Sequence, residues 1–332
     1  MLPNRFPEEG QAPEYNTVDA TLWYFEAIRA YDEATGDDAL LRDLFPVLQD
    51  IVDWHVRGTR HQIRVGPADG LPYADEPGVQ PTWMDAKVED WVVTPRIGKP
   101  VEVNALWHNA LCVMAEFARL LGDPPDRYEA LADRARSGFA HFWNEDLGYC
   151  CDVLAGPDGD DPALRPNQLF AVSLPHSPLT PEQQKAGVDA CARHLLTSHG
   201  LRSLDPRHPE YKGHHGGDRR TRDAAYHQGT VWGWLIGPFA SAHLRVYRDP
   251  ARARSFLWPL IQELDAHCVG SLSEILNGTH RSRRVGASPR RGRWRRCCGC
   301  GKKRRVSHIP SRNSHRTVAA SRNRFDTRCS LC

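Results

Sequence analysis

Carboxylates, amides and tryptophans are concentrated between the helical stretches of this 332-residue sequence. The longest such segment, residues 66–101, shows no helical or strand period, yet it contains Trp83, Asp85, Trp91 and Arg96. Loops longer than about 12–15 residues in a compact chain are usually functional, and disordered segments rarely contain tryptophan. The composition therefore predicts an ordered loop across a cleft. The alternative is a loop on the protein surface whose acidic side chains point into solvent.

Side chains of the same kinds occur at several other points along the chain. They are Asp19 at the first predicted helix; Glu102, Asn104 and Trp107 just after the long segment; His227 and Gln228, at the start of a predicted helix that contains Trp232 and Trp234; and Ser271–Ile275 near the last helix. Indole faces stack on pyranose rings, while Asp, Asn, Gln and Arg bind hydroxyls. Two further carboxyls can act on a glycosidic bond as acid and base. The pattern predicts a sugar site.

Each of these residues also has a simpler interpretation. His227 can cap or pack against a helix start, and Glu102 can complement a helix dipole. No metal and no other cofactor is expected, because the sequence up to Gly278 lacks His-x-x-x-His and Cys-x-x-Cys patterns. Four tryptophans lie on helical stripes, where core packing is commoner than a sugar subsite: Trp23, Trp54, Trp143 and Trp258.

Helical hairpins are the elements that must position this site. Apolar periodicity predicts helices at 17–35, 37–52, 103–121, 126–143, 166–174, 181–197, 222–246 and 250–267. Asn16 is expected to cap the first helix, Gly36 and Gly122 to end helices, and Thr180 and Gln183 to form a capping box. No segment shows the alternation of apolar and polar residues that is typical of a β-strand. The prediction is an all-α fold of hairpins in a ring or partial ring, with long loops on one face.

The charge divides the chain into residues 1–278 and a tail, 279–332. The tail holds 15 Arg and 2 Lys against one acid, Asp326, and so carries +16. The rest, with 26 basic and 40 acidic residues, carries −14. Scattered cysteines, no signal peptide and no apolar run near 18 residues predict a soluble cytoplasmic protein without a membrane partner. The sequence leaves the oligomeric state open.

Two interpretations of the tail remain open. Cys297-x-x-Cys300 and Cys329-x-x-Cys332 have the spacing of a four-thiolate zinc ribbon, and the surrounding Arg and Lys would suit nucleic-acid phosphates. Against this, the tail has few apolar residues and an abrupt change of composition, as an out-of-frame reading of GC-rich DNA would produce. The second interpretation, a disordered aberrant end without nucleic-acid binding, is the one favoured.

Seven blocks resemble, in order, the glucosidase domain of glycogen debranching enzymes, the amylo-α-1,6-glucosidases. They are Pro3-Asn4-Arg5-Phe6, Glu14–Trp23, Thr82-Trp83-Met84-Asp85-Ala86-Lys87, Thr94-Pro95-Arg96, Val101–Trp107, His227–Trp232 and Ser273-Glu274-Ile275. The resemblance implies an (α/α)6 barrel that hydrolyses α-1,6-linked glucose stubs of glycogen or a branched α-glucan, with inversion. It implies Asp85 as general acid and Glu274 as general base.

The resemblance also implies sugar-contact or supporting roles for ten residues: Asp19, Trp23, Trp83, Arg96, Glu102, Asn104, Trp107, His227, Gln228 and Trp232. Two departures accompany it. The family carries further sequence before the Pro-Asn-Arg-Phe block and a closing helix after Ser-Glu-Ile. Because four hairpins cannot close a ring of six, an incomplete barrel is expected here. A catalytically inactive glucan-binding fragment is therefore the alternative to an enzyme.

Overall fold

The computed structural model describes residues 1–3, 6, 12–74, 76–264 and 270–279. Asn4 and Arg5 of the first family-like block, and the basic tail with its zinc-ribbon spacing, lie outside these ranges. Within them, the α-helices are α1 Asp19–Thr35, α2 Asp38–Arg57, α3 Val101–Leu121, α4 Asp126–Phe139, α5 Phe170–Ser173, α6 Pro181–His194, α7 Arg219–Ala224, α8 Ile236–Tyr247 and α9 Pro250–Glu263. None of these helices combines the length and the apolar character needed to cross a membrane.

The long helices form hairpins, as predicted. Helix α1 packs on α2, α3 on α4, α5 on α6, and α8 on α9. The first helix of each hairpin also contacts the first helix of the next, so that α1, α3, α5 and α8 follow one another as an inner row. Helix α3 is buried on nearly every side because it lies between α1, α4 and α5. The core therefore sits between an inner and an outer row of helices.

Most of the predicted helix ends are confirmed. Gly36 and Gly122 adopt the left-handed conformation that ends α1 and α3, which glycine reaches without the clash of a Cβ. Thr180 and Gln183 form the capping box of α6. The predicted cap at Asn16 is wrong, because α1 begins at Asp19 and its N-cap residue is Val18, whose side chain makes no capping hydrogen bond.

The predicted helix 222–246 is wrong. Only α7 precedes the His227-Gln228 pair, which lies in a turn, and α8 starts nine residues later. Gly229 interrupts the helical pattern with φ +135°, a conformation that a residue with a Cβ rarely adopts. His227 and Gln228 are therefore presented from a turn and not from a helix start.

Paired strands, which the sequence does not predict, connect the hairpins. They are β1 Arg64–Val65, β2 Pro72–Tyr73, β3 Lys87–Val88, β4 Trp91–Val92, β5 Lys99–Pro100, β6 Trp143–Asn144, β7 Tyr149–Cys150, β8 Val153–Gly156, β9 Gly159–Asp161, β10 Leu196–Thr197, β11 Gly200–Arg202, β12 Val231–Trp232 and β13 Ile275–Leu276. All pair antiparallel, the largest sheet in the order β10-β11-β12-β13. With two to four residues each, they are too short to show an alternating pattern.

A buried histidine in α2 makes the stability of the fold depend on pH. His55 stacks on Trp107 with ring centroids 5.4 Å apart, and its Nδ1 lies 2.8 Å from the carbonyl oxygen of Ile51. Burial lowers the pKa of His55 to about 4. The unfolded chain therefore binds this proton more readily, and the stabilisation that is complete above pH 6.5 is lost as the pH falls to about 4.

We expect His55 to account for a loss on the order of 3 kcal/mol in unfolding free energy across that interval. Urea unfolding of His55→Phe at pH 7, 5.5 and 4 should give a flatter dependence on pH than the parent chain. His141→Phe, which alters an exposed histidine, is the matched control and should keep the parental slope. Parallel slopes for His55→Phe and the parent would contradict the prediction.

Candidate active site

The site starts where helix α1 meets the Thr-Trp-Met-Asp segment of the long loop. The N–H of Val18 donates to the carbonyl oxygen of Pro81 at 2.8 Å. Asp19 is buried and accepts hydrogen bonds from the Thr17 hydroxyl and from the main-chain N–H groups of Ala20 and Trp83. Burial raises the pKa of Asp19, and these hydrogen bonds oppose the shift. Asp19 thus holds the backbone that leads to Asp85.

Trp83 is the centre of an aromatic cluster. Its ring lies nearly perpendicular to three others, with centroids 5.4 Å from His227, 5.3 Å from Trp232 and 5.2 Å from Trp234. Trp23, half-buried, joins the edge of the cluster through Phe170, whose ring stacks on Trp234. The structure therefore brings together aromatic residues from four separate segments of the sequence.

Asp85 projects from the segment that Trp83 anchors. Its side chain is exposed, while its neighbours Met84 and Ala86 are buried. The N–H of Ala86 donates to Nδ1 of His227 at 3.4 Å, so Nδ1 is the unprotonated nitrogen of that ring. The turn that carries His227 thus fixes the backbone on the C-terminal side of Asp85.

Glu274 arrives from the other end of the described chain. Strand β13 pairs with β12 so that Ile275 lies opposite Trp232, which places Glu274 at the aromatic cluster. The Tyr226 hydroxyl donates to Oε1 of Glu274 at 2.6 Å. The Tyr226 ring also packs against Ala86, Val88 and Val93 of the Asp85 loop. The two predicted catalytic carboxyls therefore belong to segments that meet at one tyrosine.

The residues after β13 are fixed by several hydrogen bonds. The Tyr211 hydroxyl and Nε of Arg202 both donate to the carbonyl oxygen of Gly278, at 2.8 and 2.9 Å. The main chain of Gly278 approaches that of Gly229 so closely that a Cβ would overlap the Gly229 carbonyl oxygen. Only glycine fits there, and the close approach keeps Glu274 beside the turn of Tyr226.

Beneath the aromatic cluster lies a set of four ionic side chains, Arg96, Glu102, Asp152 and Arg165, which we term the buried charge layer. Arg96 donates to both carboxylate oxygens of Glu102 and, through Nε, to Asp152 at 2.9 Å. Nε of Arg165 lies 3.6 Å from the same Asp152 carboxylate. The two guanidinium groups and the two carboxylates therefore balance in charge. All four side chains are buried, with no more than 4% of any of them exposed.

Burial dominates the electrostatics of this layer. It raises the pKa of Glu102, while Arg96 opposes that shift. Burial alone would lower the pKa of Arg96, but the carboxylates of Asp152 and Glu102 raise it above its ordinary range. The guanidinium of Arg96 therefore stays charged, and each ion in the layer depends on its partners because none has access to water.

The layer holds both walls of the site. Asn167 donates to Asp152 at 2.8 Å and accepts from the Trp83 indole N–H at 2.9 Å. On the other side, Arg165 donates to Oε1 of Gln228 at 2.8 Å and to the carbonyl oxygen of His227 at 2.9 Å. Arg96, Glu102 and Gln228 consequently have supporting positions below the surface that a sugar would contact.

Two further predicted residues lie deeper still. Trp107 is fully buried, and its indole N–H donates to the carbonyl oxygen of Gly70 at 3.1 Å. Asn104 is also fully buried and donates to the carbonyl oxygens of Pro72 and Pro100. Both side chains hold the long loop against α3. Their position therefore fits a supporting role and not direct contact with a sugar.

Three residues that organise the site were not identified from the sequence. Asp152, Arg165 and Asn167 lie outside the family-like blocks and have no neighbouring motif, because their role arises only when distant segments fold together. Tyr226, directly before His227, belongs to the same polar and aromatic group in the sequence, but its contact with Glu274 could not be predicted from it. The aromatic cluster and the buried charge layer were therefore only partly visible in the sequence.

A profile described as Amylo-alpha-1,6-glucosidase matches residues 1–291. The Glycogen debranching enzyme of Saccharomyces cerevisiae is 22% identical over an alignment that covers 73% of this chain and 22% of the yeast protein. The chain therefore spans less than a quarter of the length of that relative.

Solved structures from Thermus thermophilus share the architecture. An uncharacterized conserved protein superposes with a TM-score of 0.56 at 18% identity, over 83% of this chain and 75% of that one. A GH63 mannosylglycerate hydrolase in complex with glucose gives 0.56 and 18%, over 83% and 73%. At these identities the likeness concerns the fold, which is of the (α/α)6-barrel type. The predicted fold class is confirmed.

Proposed function

Because this chain belongs to the amylo-alpha-1,6-glucosidase family of glycoside hydrolases, we propose that it releases glucose from α-1,6-linked branch stubs of glycogen-type glucans. The observation that supports the proposal most directly is the meeting of the Asp85 and Glu274 segments at Tyr226. A glycosidase needs two carboxyl groups that flank one bond. Here the two proposed carboxyls come from segments about 190 residues apart in the sequence, and both segments contact Tyr226.

In the proposed reaction, the two carboxyls have different tasks. Asp85 protonates the glycosidic oxygen as the bond to the anomeric carbon breaks, and Glu274 takes a proton from a water that attacks the opposite face. This is the inverting route, for which carboxyl groups stand about 6.5–9.5 Å apart to leave room for the water. The half-buried Trp83 ring, at the centre of the aromatic cluster, is the proposed platform for the glucose ring.

The test uses a limit dextrin whose branches have been trimmed beforehand to single α-1,6-linked glucose stubs. We expect the chain to release glucose from this dextrin and none from the same dextrin after its stubs have been removed. Proton NMR in the first minutes should show β-glucose, the inverted anomer. Mannosylglycerate, the compound after which the GH63 structural neighbours are named, serves as the competing substrate. A preference of this chain for mannosylglycerate over the dextrin would overturn the glucan assignment.

A parallel circular-dichroism melt distinguishes the remaining outcomes. A folded chain that releases no glucose but co-sediments with glycogen would contradict hydrolysis and support the glucan-binding alternative. A folded chain that neither binds nor hydrolyses would contradict both. If α-glucose is the first product, the protein is still a glycosidase, but it retains the anomeric configuration. That result would be incompatible with Glu274 as the base that activates water in an inverting reaction.

A further inference from the structure

Tyr226 stands between the two proposed catalytic segments. Its hydroxyl donates to Oε1 of Glu274 at 2.6 Å. Its own carbonyl oxygen accepts from the Thr230 hydroxyl at 2.5 Å and from the Trp232 indole N–H at 3.1 Å. The backbone of Tyr226 is therefore fixed by the strand that pairs with β13, and its phenol is directed at the residue just before β13.

The Tyr226 ring is confined on several sides. Ring centroids lie 4.8 Å from His227, 4.9 Å from Trp232 and 5.7 Å from His215, and the methyl groups of the Asp85 loop cover it. Neighbours on this many sides restrict the rotamers that the ring can adopt. Because the ring is already held in place, the hydrogen bond from its hydroxyl to Glu274 costs less conformational entropy than the same bond from a mobile tyrosine would.

Among the residues that the structure describes, the charged groups near Tyr226 do not compete for this contact. His215 is buried beside Tyr226, and burial lowers its pKa, so the ring is neutral near pH 7. Arg222 is paired with Asp223 at 2.9 Å on α7, and His214 is exposed. The Tyr226 hydroxyl is thus the donor that the structure places on Glu274.

We propose that Tyr226 is a positioning residue for Glu274: it binds one carboxylate oxygen and leaves the other for the attacking water. The inference rests on the proposed function, in which Glu274 activates water. Because the hydrogen bond is made to Oε1, it fixes the orientation of the carboxylate and with it the direction of the second oxygen.

The variant Tyr226→Phe removes the hydroxyl and keeps the ring. A hydrogen bond to a charged group contributes about 1.5–3 kcal/mol, and each 1.36 kcal/mol is tenfold. We expect kcat on limit dextrin to fall about 10- to 100-fold, with KM little changed. The loss should appear in kcat and not in KM, because the hydrogen bond orients the proposed base and does not bind the dextrin.

Tyr211→Phe is the matched control, because it removes a tyrosine hydroxyl that holds the same segment at Gly278 but does not touch Glu274. A merely structural role for Tyr226 would make the two variants alike, with a lower melting temperature and the same kcat for the folded protein. That result would overturn the inference. A lower kcat at unchanged KM in Tyr226→Phe alone would support it.

Glu274→Gln separates this inference from the proposed function. If that variant keeps full activity, Glu274 is not the base and both proposals fall. If it is inactive while folded Tyr226→Phe keeps the parental kcat, only the role of Tyr226 is refuted. Should Tyr226→Phe fail to fold, 3-fluorotyrosine introduced at position 226 decides. Its more acidic phenol is a stronger donor, so kcat should change while KM stays at the parental value, and an unchanged kcat would refute the role.

Discussion

Glu274→Gln should lower glucose release from limit dextrin about 100- to 10,000-fold, and Asp85→Asn should have an effect of similar size. Positioned proton transfer contributes factors of this order to enzymatic rates. Both changes keep the size and shape of the side chain and remove only its ability to exchange a proton. Circular dichroism of each variant should match the parent chain.

The two carboxyls can be told apart by the leaving group. α-Glucosyl fluoride releases fluoride, which needs no protonation, so Asp85→Asn should hydrolyse it at a rate near that of the parent chain. Glu274→Gln should remain inactive on both substrates, because the attacking water still needs a base. Asp90→Asn, an exposed carboxylate on the β3–β4 hairpin of the same loop, is the control and should resemble the parent.

Three outcomes would count against the assignment of roles. Equal losses on dextrin and fluoride in Asp85→Asn would mean that this residue does not act as the acid. Recovery of fluoride hydrolysis in Glu274→Gln alone would exchange the two roles. A loss in Asp90→Asn as large as that in Asp85→Asn would show that the loop, and not one carboxyl, is required.

The second large effect concerns the buried charge layer. Arg96→Met should lower the unfolding free energy by about 3–5 kcal/mol, because it leaves Glu102 and Asp152 buried without their main partner. Urea unfolding at pH 7 is the measurement. The midpoint should shift with little change in slope if the transition stays two-state.

Two companion variants sharpen that prediction. In Arg96→Met combined with Glu102→Gln, one of the stranded charges is removed, and part of the lost stability should return. Arg136→Met breaks an ion pair with Asp133 whose two side chains are 60% and 72% exposed, and it should change stability little. If Arg96→Met behaves like Arg136→Met, the layer does not carry the stability assigned to it.

Local signals account for the parts of the fold that the sequence predicts well. Helix ends at Gly36, Gly122 and Thr180 depend on the conformation or hydrogen bonding of one or two residues, so they can be found without tertiary information. The hairpin order follows from short turns between periodic segments. The predicted helix 222–246 failed because its apolar spacing fits a helix, whereas Gly229 and the pairing of β12 with β13 impose a different path.

Burial was the property least well predicted from spacing alone. Trp54 and Trp258 lie on helical stripes and were expected in the core, yet they are 50% and 59% exposed. A stripe says which face of a helix is apolar but not whether another helix covers it. The same limit applies to Arg96 and Glu102. Their types suggested sugar contacts, but their position in the charge layer depends on Asp152 and Arg165, which come from distant segments.

The pairing of β12 with β13 has a consequence for biosynthesis. Helices α1 to α6 and the Asp85 loop are all translated before residue 200, and their contacts can form as they leave the ribosome. The Glu274 segment follows the Asp85 loop by some 190 residues, and Glu274 reaches its place only when Ile275 adds to the edge of β12. In a nascent chain the helices can therefore pack well before the two proposed catalytic segments meet, and that meeting is one late, long-range step.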